Sequence, residues 1–243
     1  MDAPAFAELS VRFRPRNSSH SLVTWPRSFS ASSASTMHQE VLTNEGAALF
    51  PVLARFPAFY LAGGTALALQ MGHRVSIDFD LFRGEPIPPS LFTRVERAFP
   101  FPAIPLVNNS DELTVSVNGV KLTFLHYPFP VLDPFEIFDG LPLLSVREIA
   151  ATKAYTIGRR GSYKDYVDLY YVLSEGRTTL AEIIANAETK FGDAFNARLF
   201  LEQLVYLGDV HDTEIQFLKP VVTPRKLLAF FEDRIRDAAP DLI

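Results

Sequence analysis

LAGGTALALQMGHRVSIDFDLF, residues 61–82, sets two adjacent glycines, Gly63 and Gly64, ahead of two aspartates, Asp78 and Asp80, that are separated by a single phenylalanine. From Arg74 to Leu81 polar and apolar residues alternate without a break. This predicts a strand, with Val75, Ile77, Phe79 and Leu81 on one face and Arg74, Ser76, Asp78 and Asp80 on the other. Both carboxylates then project from one face, about 7 Å apart along the strand. Like charges so placed call for a cation between them or a proton on one of them. Magnesium suits the position, because it takes oxygen ligands and commonly uses one or two carboxylates together with substrate phosphates. Gly63 and Gly64 carry no side chains to hold a phosphate off the backbone. A short helix, Ala66 to Met71, capped by Thr65 and closed by Gly72, would offer N–H groups and a positive dipole end. Strand, Gly-Gly, short helix and Asp-x-Asp strand, in that order, point to a metal-bound polyphosphate and to phosphoryl or nucleotidyl transfer. A solvated strand face after a glycine turn accounts for either half alone, not for both at this spacing.

Towards the N-terminus, Phe59 to Ala62 reads as a short apolar strand leading into the glycines, and Gln39 to Phe56 as a helix. Residues 1–36 differ from the rest, being rich in Ser, Pro and Arg with no sustained period, and are expected to be disordered or extraneous. Met37 follows them directly, so the chain either starts biologically at Met37 or carries a flexible tail.

Towards the C-terminus, ELTVSVNGVKLTFLHY, residues 112–127, predicts a hairpin around a two-residue Asn118-Gly119 turn, pairing Val115 with Leu122 and Thr114 with Thr123. A connector rich in Pro and Phe, Pro128 to Pro142, comes next, and then the period becomes helical. Ser145 with Glu148, Ser162 with Asp165 and Thr179 with Glu182 have the spacing of capping boxes, and Thr223-Pro224 opens a last helix. A boundary is expected near Gly140, giving a core over 37–140 and a helical domain over 141–243. Lys153 and Arg160, seven residues apart, share a helix face, and Lys153 falls in the apolar stripe of Val146, Ala150 and Ile157. That lysine either snorkels at the stripe edge or faces a triphosphate across a cleft. Asp165 has a helix-capping role available to it, whereas Asp168, one turn on, has none.

The 243 residues, 48% hydrophobic, suffice for one large core or two modest ones. With no cysteine, a disulfide framework and thiolate metal sites are excluded, which fits a reducing cytoplasm. A net charge of -5 gives no global nucleic-acid footprint, so any such contact needs a local basic patch. No run approaches the roughly 20 apolar residues that span a bilayer, and no membrane association is expected.

The stretch GGTALALQMGHRVSIDFDLF, residues 63–82, resembles the signature of the AbiEii/AbiGii toxin family within the DNA polymerase β-like nucleotidyltransferases. KAYTIGRRGSYKDYVDLYYVL, residues 153–173, is similar to that family's later motifs. The resemblance implies an α+β nucleotidyltransferase fold, a small mixed sheet flanked by helices, followed by a C-terminal helical region that completes the cleft. It implies Gly63, Gly64 and Thr65 at the nucleotide phosphates and Asp78 and Asp80 as ligands of Mg²⁺ or Mn²⁺. It further implies Lys153 and Arg160 at the nucleotide or transition state, with Lys164, Asp165 and Asp168 completing the site. The activity implied is transfer of NMP from an NTP to an acceptor hydroxyl, by the toxin of a bacterial toxin–antitoxin or phage-defence pair. Its partners would be the tRNA 3′ end and a cognate antitoxin, with Lys153, Arg159, Arg160 and Lys164 as the local basic cluster. One departure stands out. Active members of the wider superfamily carry a third carboxylate on a later strand, and here Thr123 takes the corresponding polar position of GVKLTFL, residues 119–125. Either Asp165 or Asp168 supplies that acid, or turnover is slow, or the chain is a nucleotide- or partner-binding module. A small-molecule, antibiotic-type nucleotidyltransferase is the remaining alternative.

Overall fold

A computed structural model of the chain describes residues 37–208, 210 and 214–242; the expectations attached to segment 1–36 lie outside the described residues. The fold is α+β. Seven strands, β1 (Tyr60–Ala62), β2 (Phe79–Arg83), β3 (Ala103–Asn108), β4 (Glu112–Val117), β5 (Val120–His126), β6 (Glu136–Phe138) and β7 (Leu141–Leu143), form one sheet. Their order is β3-β4-β5-β2-β1-β7-β6. The β1–β7 and β2–β5 pairs are parallel and the rest antiparallel, so the sheet is mixed. The described helices are α1 (Asn44–Leu53), α2 (Gly63–Met71), α3 (Leu91–Ala98), α4 (Val146–Arg160), α5 (Tyr163–Ser174), α6 (Leu180–Phe191), α7 (Ala197–Leu204) and α8 (Pro224–Leu242).

The β4–β5 hairpin has the register read from the sequence, Val115 opposite Leu122 and Thr114 opposite Thr123. Asn118 and Gly119 both take positive φ, 49° and 79°, as a turn that follows the sheet's twist requires. Asp165 closes the capping box at α5, where its Oδ2 accepts from Ser162 N and Oγ, both at 2.9 Å. Thr179 and Glu182 form the box at α6. At α4 only half of the box exists. Ser145 caps Glu148 N, but the Glu148 carboxylate accepts from Leu132 N, Asp133 N and the buried Lys190 ammonium instead.

Four expectations are corrected. The helix over 39–56 is a 3₁₀ turn, Gln39–Val41, followed by α1, because the backbone is extended at Leu42 and Thr43, and Thr43 caps α1. The strand over 74–81 shrinks to β2. The N–H groups of Val75 and Ser76 donate to Gln216 O and to Val41 O of the 3₁₀ turn, as isolated bridges and not as part of a ladder with a neighbouring strand. Ile77, placed by alternation on the apolar face, is 51% exposed. Thr65 does not cap α2, which begins at Gly63 with Ala62 as its N-cap. The connector 128–142 contains β6 and β7, and the boundary expected near Gly140 falls on the turn of that hairpin, where Asp139 and Gly140 have φ of 48° and 79°. The helical region thus contributes β7 to the sheet, beside β1.

Each face of β2 has its own cover. On one side Phe79 and Phe124 meet the rings of Phe50, Phe56 and Phe59 from α1 and the chain after it. On the other, Phe82 stacks on Tyr127 at 4.6 Å, and a chain of rings through Phe129 reaches Tyr155 of α4 and Phe191 of α6. Asp80 lies on the same face as Phe82, two residues before it. The helices therefore seat on the Phe82 end of that face, while the Asp78–Asp80 end lies at the edge of their cover. No helix among the described residues is long and apolar enough to cross a membrane.

Candidate active site

Gly63 and Gly64 stand between two charged groups. A Cβ on Gly63, which has φ of 65°, would lie 2.4 Å from Asp80 Oδ2. One on Gly64 would lie 2.5 Å from Arg74 Nη2 and 3.8 Å from Asp168 Oδ2. The glycine pair is therefore demanded by the protein's own packing, quite apart from any ligand. It also makes the turn where the acidic strand and the helical region meet.

On the strand side, Asp78 and Asp80 are both half-buried. The Thr65 hydroxyl bonds to the Asp78 carbonyl and, at 2.7 Å, to Ser76 Oγ, so Thr65 fixes the entry to β2 through the backbone. Burial, and then the charge of Asp78, push the Asp80 carboxyl up to about 6, with the Lys121 and Lys153 ammoniums offsetting part of the rise. This is the pattern of a buried carboxyl beside a second carboxylate.

On the helix side, Asp168 of α5 is fully buried and holds three donors, two of them the cations Arg74 and Lys153. Its Oδ1 accepts from His73 Nε2 and Arg74 Nε, both at 2.7 Å, and its Oδ2 from Arg74 Nη2 at 2.9 Å. Lys153 Nζ is 2.7 Å from Asp168 Oδ2 and 2.6 Å from Asp165 Oδ1. Burial alone would raise the Asp168 carboxyl; the charges of Arg74 and Lys153, with the bonds from His73 and Arg74, outweigh it and hold it well below the usual carboxylate range. Burial likewise pushes Lys153 down, but Asp165 and Asp168 together keep it above its ordinary value. His73 is lowered by burial, and its Nδ1 has no partner among the described residues, so the ring serves here as a donor to Asp168.

Of the residues singled out in the sequence, Gly63, Gly64, Asp80, Lys153, Asp165 and Asp168 thus form one contiguous cluster with Arg74. Asp78 joins it through Asp80, and Lys164 through the first turn of α5. The Arg160 side chain lies outside the described residues. The basic cluster of 153–164 is not one surface patch. Lys153 is buried between two acids, and Arg159 turns away, donating to Ala194 O at 2.7 Å and covering the Tyr155 ring. Sequence proximity on a helix does not make a shared face.

Two further charged residues belong to the same sheet face. Lys121 of β5 places Nζ 3.3 Å from Asp78 Oδ2. Glu112 of β4 is buried; its Oε1 accepts from Thr114 Oγ1 at 2.6 Å, and its Oε2 has no partner among the described residues. Thr114 pairs with Thr123, and Thr123 with Asp80. The hairpin register already put Glu112, Thr114, Ser116, Lys121 and Thr123 on one face. Only the pairing of β5 with β2 reveals that it is the aspartates' face.

The model of a family described as nucleotidyl transferase AbiEii toxin, type IV TA system, matches residues 47–241. The chain is 29% identical over 182 residues to aq_aa25, an uncharacterized protein of Aquifex aeolicus (strain VF5), covering 74% of this chain and 87% of that protein. Among solved structures it is similar to JHP933 from Helicobacter pylori, with 16% identity and a TM-score of 0.47 over 84% of this chain and 93% of that one. It is also similar to the Megavirus polyadenylate synthase, with 12% identity and a TM-score of 0.40 over 52% of this chain and 31% of that one.

Proposed function

We propose a reaction for this site on the premise that the chain belongs to the AbiEii family of nucleotidyl transferase toxins, and so is a nucleotidyl-transferring enzyme. The reaction is transfer of NMP from an NTP to the hydroxyl of an acceptor, with the 3′ end of tRNA as that acceptor. The acceptor oxygen attacks the α-phosphorus, the bond from that phosphorus to the oxygen bridging to the β-phosphate breaks, pyrophosphate leaves, and the hydroxyl proton passes to solvent.

One observation carries the reading: two carboxylates, Asp78 and Asp80, share a sheet face beside the backbone of Gly63 and Gly64 at the N-terminus of α2, with Asp80 pushed up to about 6 by burial and by its neighbour. The donor set fits a divalent metal, since carboxylate oxygens are what Mg²⁺ or Mn²⁺ takes. Asp78 and Asp80 would hold the ion, and the ion would supply neutralisation of triphosphate charge. The α2 N-terminus and the glycine backbone would receive the phosphates. Lys153, Asp165 and Asp168, with Arg74, would hold the α4–α5 side of the site in register, Lys164 would complete that side, and Arg160 would face the nucleotide as the family resemblance implies. As the family's description implies, the genetic partner would be an antitoxin; the setting proposed with it is the bacterial cytoplasm.

A second reading is favoured by Thr123, which lies opposite Asp80 where active relatives in the wider superfamily carry an acid. In it, the chain binds nucleotide without turnover. Incubation with each labelled NTP, Mg²⁺ and total tRNA, followed by gel analysis, separates the two. We expect label on tRNA from at least one NTP. An NTP-dependent rise in melting temperature with no label on any acceptor would support the second reading. The double substitution Asp78→Asn, Asp80→Asn should abolish that rise, and an undiminished rise would place the nucleotide elsewhere.

A further inference from the structure

The phosphates and the acceptor of a transfer reaction must approach the aspartates from different sides, and the sheet order separates those sides. Gly63, Gly64 and α2 come off β1, on one flank of β2. The other flank is β5, then β4, then the edge strand β3. Along this second flank the register defines one row on the aspartates' face. Asp78 contacts Lys121, Lys121 pairs with Ser116, and Ser116 pairs with Ile104.

The row is open. The Lys121 and Asp78 side chains are 40% and 38% exposed, Ile104 is 60% exposed, and Leu106, the extra residue of the β3 bulge, is 58% exposed. The next row along the strands on the same face, Thr123 and Thr114, is buried. Three strand spacings separate β2 from β3, about 14 Å. A small-molecule acceptor would need a concavity enclosing most of its surface. This strip offers instead an open row that begins at the aspartates, carries a lysine, and ends in exposed aliphatic side chains.

Cation supply points the same way. Arg74 and Lys153 are committed to Asp165 and Asp168. Among the described residues Lys121 is tied by a half-exposed pair with Asp78, a kind of contact that adds little stability and is readily exchanged. Lys164, in the first turn of α5, is pushed below its ordinary pKa by burial and by Arg74, so its ammonium gains from an incoming anion.

We propose that the acceptor reaches Asp78 and Asp80 as a single-stranded polynucleotide 3′ end laid across β5, β4 and β3, with Lys121 leaving Asp78 to hold an acceptor phosphate and Ile104 and Leu106 packing against its sugars and bases. This rests on the nucleotidyl-transfer reading and assigns the acceptor side of that site. Each phosphate contact adds to the salt dependence of binding, and Lys121 would account for one of them.

The test compares the full chain with Lys121→Ala, Lys121→Arg and the double variant Ile104→Ser, Leu106→Ser. Each is assayed with the labelled NTP that the wild type uses, Mg²⁺, and either total tRNA or a short oligoribonucleotide with a free 3′ hydroxyl. We expect Lys121→Ala to raise the acceptor KM on the order of tenfold and to lower the slope of log affinity against log salt by about 0.7. Lys121→Arg should restore most of both. The serine pair should raise the acceptor KM and leave the salt slope unchanged. All variants should retain the NTP-dependent rise in melting temperature, which a merely unfolded protein would lose. Unchanged acceptor KM in both Lys121→Ala and the serine pair, with the wild type active, overturns the assignment. So does transfer by the wild type to a small hydroxyl compound and to neither polynucleotide. Absence of an NTP-dependent rise in the wild type itself would instead defeat the underlying reading.

Discussion

A carboxylate with no access to water is tolerated only when its charge is answered, and Asp168 is answered three times, by His73, Arg74 and Lys153. Asp168→Asn leaves two permanent cations buried without their shared anion, and we expect it to lower unfolding stability by about 3–5 kcal/mol. A loss below about 1 kcal/mol in urea denaturation would show that water reaches the cluster. Lys153→Ala should likewise lower stability as well as transfer, because that ammonium is wedged between two acids and does not border open solvent. The Asp168 and Asp80 carboxyls respond to pH in opposite senses. The Asp168 carboxyl is depressed on folding, so its stabilisation is present above its ordinary value of 3.8 and is lost as pH falls towards the folded value. The Asp80 carboxyl is raised, so between 3.8 and about 6 its ionisation takes stability away as pH rises. In metal-free protein Asp78→Asn removes the neighbouring charge and should move the Asp80 midpoint down from about 6. Carboxyl-carbon NMR reads this directly, and a midpoint that stays put would leave burial as the sole cause.

Alternation is a strong signal for a strand, yet it serves two segments of this chain differently. In 112–126 both strands and their turn were legible, because Asn118 and Gly119 set the register locally. Gly119 has φ of 79° and nothing within 4 Å of where a Cβ would stand, so Gly119→Ala pays only the left-handed backbone penalty, about 1–2 kcal/mol. A urea midpoint unchanged within error would mean that the turn had relaxed to another type. In 74–81 the same alternation overshot. Arg74 is drawn to Asp168, and the N–H groups of Val75 and Ser76 go to residues 216 and 41. Those partners are far away in sequence, and no local pattern announces them. The strands β6 and β7 were hidden for another reason: three residues each, with Pro142 in one, are too few to show a period.

The whole molecule is tied together across the glycine pair, where the Arg74–Asp168 bonds join the chain before β2 to α5, and by β7, which lies beside β1. We therefore expect the regions before and after Gly140 to unfold together, in one calorimetric transition whose enthalpy equals the van't Hoff value. Two resolved transitions would show that each region keeps a core of its own. The sequence by itself determined the elements whose causes are local: the hairpin, the helix starts at Ser145, Ser162, Thr179 and Thr223, the αL stop at Gly72, and the pairing of glycines with an Asp-x-Asp strand. Periods, caps and turn dihedrals act over a few residues and are written in the chain. Only the tertiary structure decided that Lys153 is buried between Asp165 and Asp168, that Arg159 faces away, and that Lys121 and Glu112 share the aspartates' face. Those outcomes depend on which strand lies beside β2 and which helix lies over it, and electrostatic partners are chosen by distance in space, not by separation along the chain.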